Sequence, residues 1–309
     1  MVGEGDDVRI GYPCINRSIG CSANRTFRLA SYSDERLLST VRGNLECLER
    51  ILSFNAAHHL LFFRITSDLV PFASHPVCTA PWQEELRPLF ARVGALAGRG
   101  GFRISMHPDQ FVLINSPDPA LVERSVAELS YHAAVLDLMD LDGTAKIQIH
   151  VGGVYGDRKT GMDRFTRVHG DLPEPVIRRL VVENDDSRYS LRDCLEIHGE
   201  TGIPVVYDHF HHRCHGDTGE IHGILGEVAG TWTGKDGIPM ADYSSQEPGR
   251  RPGTHATALD PDDFRAFLSA SSPRDMDVML EIKDKERSAL AAAALARRDP
   301  RFKPGNPVP

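Results

Sequence analysis

Eight short apolar runs interrupt the chain, and helix-like stretches lie between them. The runs are VRIGYP (8–13), HLLFFRIT (59–66), GFRISMH (101–107), KIQIHVGG (146–153), RLVVEND (179–185), IPVVYDHF (203–210), GIPMADYS (237–244) and MDVMLEIK (276–283). Each has strand length and is too short for a buried helix. DERLLSTVRGNLECLERILSF (34–54) opens on an acidic residue and repeats apolar residues at spacings of three and four. ALVERSVAELSYHAAVLDLM (120–139) and DPDDFRAFLSA (260–270) follow the same rule. Eight strands alternating with helices predict an α/β fold, a (β/α)8 TIM barrel. One such barrel accounts for 309 residues, and no Gly/Ser linker or internal repeat divides them. The expectation is a single domain over 1–309, with its core at about 8–290 and a fraying tail at 291–309.

Composition narrows the partners. The net charge of −8 argues against a broad basic nucleic-acid surface but not against a local basic groove. Bound divalent cations would offset acidic charge at a site. No apolar run reaches the ~18 residues of a membrane span, and the acidic start MVGEGDD lacks a signal-like apolar region. A cytoplasmic monomer with no membrane partner is expected. Cys14, Cys21, Cys47, Cys78, Cys194 and Cys214 form no CxxC pair and are read as free thiols.

The strands end in polar residues: His107, His150, Glu183 with Asn184, Asp208 with His211, Asp242, and Glu281. In barrels the C-terminal strand ends converge on one pocket. A single histidine there is commonly a hydrogen-bonded structural residue. Four carboxylates facing one pocket are different, because burial costs several kcal/mol each unless they are paired or metal-bound. A metal centre follows. Imidazole and carboxylate donors without thiolate suit Mn²⁺, Zn²⁺ or Fe²⁺, and Mg²⁺ is compatible with the carboxylates. The donors suffice for two or three ions, and paired ions suit phosphodiester hydrolysis. Asp208 and His211 need a bend after their strand to converge, whereas His209, His212 and His215 read as supporting or loop residues.

Several segments together resemble the UV damage endonuclease family: RIGYP (9–13), FRITSDLVPFASH (63–75), SMHPDQF (105–111), IHVGGVYGDRKTG (149–161), VVENDD (181–186), PVVYDHFHH (204–212), RPGTHA (251–256) and VMLEIKDKE (278–286). The resemblance implies a barrel with a three-metal centre, usually occupied by manganese, that nicks damaged double-stranded DNA 5′ to a UV photoproduct. It implies His75, His107, His150, Glu183, Asp208, His211, His255 and Glu281 as metal ligands. Gln110 and Phe111 match a pair pushed into the duplex, and Tyr12 and Asn16 match residues that touch the damaged strand. Photoproducts already weaken stacking, so extruding them costs less than extruding intact bases. Strand seven departs from the family pattern Pro-Lys-x-His-Tyr-Ser. It reads PMADYSS (239–245), with Met240 for the lysine and Asp242 for the histidine. Asp242 is expected to keep a metal position and Met240 to pack inside the barrel.

The resulting reading is a DNA repair endonuclease using metal-activated water, with Glu183, Asp208, Glu281 and His107 as catalytic residues. Phosphate contacts are expected from Arg158 and Lys159 with Thr160, from Arg64, Ser67 and Ser74, and from Arg250 and Arg251. The altered strand seven motivates an alternative, a diverged metal-dependent small-molecule enzyme on the same barrel. A non-catalytic binder of damaged DNA is a third reading, against which the carboxylate cluster argues.

Overall fold

The computed structural model describes residues 8–216 and 220–305. Eight parallel strands close a barrel in sequence order: β1 (Val8–Pro13), β2 (Phe62–Ile65), β3 (Arg103–Met106), β4 (Lys146–His150), β5 (Leu180–Glu183), β6 (Val205–Asp208), β7 (Met240–Tyr243) and β8 (Met276–Leu280), with β8 paired to β1. Every strand falls inside a predicted run. The principal helices between and after them are α1 (Asp34–Ala57), α2 (Arg87–Gly100), α3 (Pro119–Leu138), α4 (Arg158–Gly170), α5 (Leu191–Thr201), α6 (Ile221–Ala229), α7 (Pro261–Ser271) and α8 (Glu286–Ala296). Side-chain caps fix several of the loop-to-helix junctions. Ser190 and Asp193 form a capping box on α5, and Asp260 accepts from Asp262 N and Asp263 N on α7.

The two faces of each strand explain what sits where. Ile10, Phe63, Ile104, Ile147, Val182, Val205, Ala241 and Val278 join the main core that packs on the helices. On the opposite parity Phe62, Val181, Val206, Met240 and Met279 form a second apolar cluster with Trp232. Two residues further along those same strands stand Arg64, Glu183, Asp208, Asp242 and Glu281. The interior is therefore an apolar plug under a polar layer, and Met240 belongs to the plug. Gly11 permits a close strand approach, since a Cβ there would lie 1.8 Å from the Phe62 carbonyl oxygen.

Two expectations are corrected. Cys21 and Cys47 form a disulfide, because the loop after β1 folds back on α1 and brings their Cα atoms to 5.9 Å. A separation of 26 residues carries no local signal of that pairing. Cys14, Cys78, Cys194 and Cys214 are free. The tail is docked rather than frayed as far as residue 305. Phe302 pairs with Val8, and buried Arg301 donates to Asp299 Oδ2 at 2.6 Å, to the Leu268 carbonyl at 3.0 Å and to Ser271 Oγ at 3.2 Å. Both MVGEGDD and residues 306–309 lie outside the described residues. Among the described residues, no helix is long and apolar enough to cross a membrane.

Candidate metal centre

Three sets of ligand atoms, each lying within 4.8 Å of one another, occupy the polar layer: His107 with His150 and Glu183, Glu183 with Asp208 and His211, and Asp208 with Asp242 and Glu281. Glu183 and Asp208 are shared, so the sets form one continuous strip. Glu183 Oε2 is 3.3 Å from His107 Nε2, and Oε1 is 3.7 Å from His150 Nε2 and 3.4 Å from His211 Nδ1.

The histidine-rich segment owes its shape to one cap. After β6 the chain turns at once into a short helix, His209–Cys214, and Asp208 Oδ1 accepts from His211 N at 2.6 Å. That turn returns His211 over Asp208, with Nδ1 to Oδ2 at 3.4 Å. It sends His209 onto Tyr243, stacked at 5.8 Å, and His212 onto Tyr207. His209, His212 and His215 join none of the three sets, as expected. Asn184 braces the strand end from β5, donating to the Asp208 carbonyl and accepting from Asp208 N, each at 3.0 Å.

The donor set fits a cation. His107, His211 and His255 each place Nδ1 beside a main-chain carbonyl, at 2.9, 3.1 and 2.9 Å. A carbonyl only accepts, so Nδ1 carries a proton, which leaves Nε2 as the nitrogen that could turn to a metal ion, the arrangement common to metal-ligating imidazoles. Asp208 Oδ2 and His150 Nδ1 are buried without a hydrogen-bond partner. Buried orphans of that kind call for an ion or water.

The electrostatics agree. Burial pushes the Asp208 carboxyl well above its usual range, and Glu183 and Glu281 add to it against His211. Burial would raise Glu183 too, but the surrounding His150, His107 and His211 hold it well below. Burial depresses His211, yet the Asp208 and Glu183 carboxylates carry it up to about 11. Crowded carboxylates thus draw positive charge into the layer.

The third set already contains a cation. Arg64 Nη2 donates to both Asp242 oxygens, at 2.9 and 2.8 Å, and to Gln148 Oε1 at 3.0 Å, while Nη1 donates to Glu281 Oε1. Arg64 is therefore an interior residue, which corrects its expected role as a phosphate contact. Its position two residues after Phe62 puts it on the inward face.

The family described as UV-endonuclease UvdE matches the chain over residues 8–299. The chain belongs to that family. The UV DNA damage endonuclease of Clostridium perfringens (strain 13 / Type A) is 33% identical over 285 residues, covering 92% of this chain and 69% of that one. The crystal structure of SacUVDE superposes with a TM-score of 0.90 at 42% identity, covering 94% of this chain and 98% of that one. Endonuclease IV from Thermus thermophilus shares the fold, at a TM-score of 0.58 and 15% identity over 94% of this chain and 99% of that one.

As placed in this UvdE-family barrel, the other expected residues divide into two groups. A cavity of about 280 Å³ above the strip is lined by His107, Gln110, His150, Asp185, Arg188, His211 and His255, among others. Gln110 is exposed at its rim, and the next residue, Phe111, is 70% exposed. His255 lines the cavity outside the three sets. His75 is exposed and also outside them, with its Nδ1 accepting from Val77 N at 3.0 Å.

Tyr12 and Asn16 require correction. Both are buried, Tyr12 donating to Asn55 Oδ1 at 2.7 Å and accepting from Asn16 Nδ2 at 2.9 Å. Tyr12 shares the outward parity of Ile10 and packs edge-on to Phe63, under the helices. Both side chains are enclosed in the free chain. Arg158 and Lys159 are exposed and lie outside the residues that line the cavity. Lys159 pairs with Asp163, Glu196 and Glu200 at 2.9–3.2 Å, and Arg158 lies 3.5 Å from Asp193. Ser67 donates to the His107 carbonyl at 2.9 Å, and Ser74 donates to Glu128. Thr160 is tied to the α4 cap Asp157, its main-chain N donating at 2.7 Å. Arg250 and Arg251 line a separate shallow cavity with Lys283. The cation at the mouth is Arg188, which sequence reasoning missed. Its signal was the polar run NDDSR directly after β5.

Proposed function

We propose that this chain is a metal-dependent endonuclease that nicks double-stranded DNA on the 5′ side of UV photoproducts. Family membership supports the nuclease class, and the continuous His/carboxylate strip at the barrel mouth is the observation that carries the metal requirement. The small-molecule alternative draws no support beyond a shared barrel. Bound divalent ions, Mn²⁺ by preference, would activate water and polarise the phosphoryl group.

The chain's own residues do the rest. His107, His150, Glu183, Asp208 and His211 hold the ions, and His255 offers a further Nε2 at the rim. Gln148 donates to Glu183 and to Asp242, fixing both carboxylates in the layer. Arg188 supplies positive charge at the mouth, where a phosphate would arrive. Exposed Phe111 with Gln110 forms the wedge, replacing stacking lost by an extruded lesion.

The test is a nicking assay on an end-labelled UV-irradiated duplex with Mn²⁺, beside undamaged duplex and Glu183→Gln protein. A cut 5′ to the lesion, absent from both controls, is expected. Uncut irradiated DNA with folded, metal-loaded wild-type protein would overturn the proposal.

A further inference from the structure

We propose that Arg64 is a resident cation that takes the third position of the polar layer, so that the chain holds two divalent ions and not three. This rests on reading the layer as a metal centre.

Both oxygens of Asp242 are engaged by Arg64 Nη2 at 2.9 and 2.8 Å, and Gln148 Nε2 donates to Oδ2 at 2.6 Å. Arg64 Nη1 holds the Glu281 carboxylate on the other side. These lone pairs are what an ion between Asp208, Asp242 and Glu281 would need. The guanidinium keeps its charge and is buried, with its side chain only 4% exposed. A divalent ion there would face a like charge a few ångströms away with little solvent between.

The first two sets differ. Among the described residues, no Arg or Lys nitrogen bonds to His107, His150, Asp208 or His211, their ligand atoms gather within 4.8 Å in each set, and Asp208 Oδ2 has no hydrogen-bond partner. Formal charge points the same way. Glu183, Asp208, Asp242 and Glu281 oppose one guanidinium. Two divalent ions leave the layer at about +1, the complement of a single phosphodiester, whereas three would leave it near +3. Asp242 suits this role because its charged carboxylate offers two oxygens to Arg64 Nη2, whereas a neutral imidazole would offer one nitrogen and no charge.

The experiment is metal content. The intact chain is loaded with Mn²⁺, desalted, and measured by inductively coupled plasma mass spectrometry against protein concentration, beside Arg64→Leu. Two ions per wild-type chain and a third in Arg64→Leu are expected. Three in wild type, or two in both proteins, overturns the inference while the metal reading stands. None in wild type overturns both. Should Arg64→Leu fail to fold, anomalous diffraction from Mn²⁺-loaded wild-type crystals decides: no peak beside Asp242 is expected, and a peak there overturns the proposal.

Discussion

Glu183 is one carboxylate serving two sets of ligands, so its removal is felt twice. Glu183→Gln preserves shape and removes charge. Mn²⁺ content should fall by at least one ion per chain and nicking by roughly 100-fold or more, as checked by metal analysis and initial rates. Gln110→Ala with Phe111→Ala removes the wedge and touches no ligand. Discrimination between irradiated and intact duplex should drop by roughly 10-fold, on the scale of one lost base–aromatic stack, with metal content unchanged. The legible residues were those that close an apolar run. Glu183, Asp208, Asp242 and Glu281 were placed at one pocket by their strand ends, and the structure adds that each stands two positions after an interior apolar residue. The same count applied to Arg64 and Tyr12 would have put the first inside and the second under the helices. Resemblance supplied their identity and not their direction.

At the level of elements, the β6-to-helix junction shows why local spacing was only partly readable. A bend after Asp208 was foreseen, but the cap that turns it into a helix is a hydrogen bond between a side chain and the main chain. The β2 and β3 ends are joined through α3. His132 on α3 places Nε2 2.9 Å from Ser67 Oγ, and Ser67 Oγ lies 2.9 Å from the His107 carbonyl. Burial depresses His132 from 6.5 to about 4, opposed by its bond to the Glu128 carbonyl and helped by His107. Its folded value lies below its unfolded one, so the fold prefers the neutral ring. That contribution is complete above about pH 6.5 and is lost as pH falls towards about 4, at up to about 1.4 kcal/mol per pH unit. Urea midpoints measured from pH 7 to pH 4 should fall less steeply for His132→Gln than for wild type.

For the whole molecule, the barrel is closed twice, by β8 on β1 and by residues 301–303 on Val8. Arg301→Ala removes a buried guanidinium that ties 301 to α7, and should cost about 2–4 kcal/mol in urea denaturation. The closure of eight strands was visible in the sequence because each run carried its own pattern. The Cys21–Cys47 bond and the docked tail were not, since both depend on where distant segments meet. The apolar plug of Phe62, Val181, Val206, Met240, Met279 and Trp232 has a kinetic consequence. It floors the polar layer, so ions and water reach the layer from the mouth side, where DNA would sit. A duplex seated on the mouth should trap the ions beneath it. Stripping of Mn²⁺ by EDTA should therefore slow when Glu183-intact protein is saturated with uncleavable damaged duplex, and a stripping rate indifferent to DNA would mean a second way out.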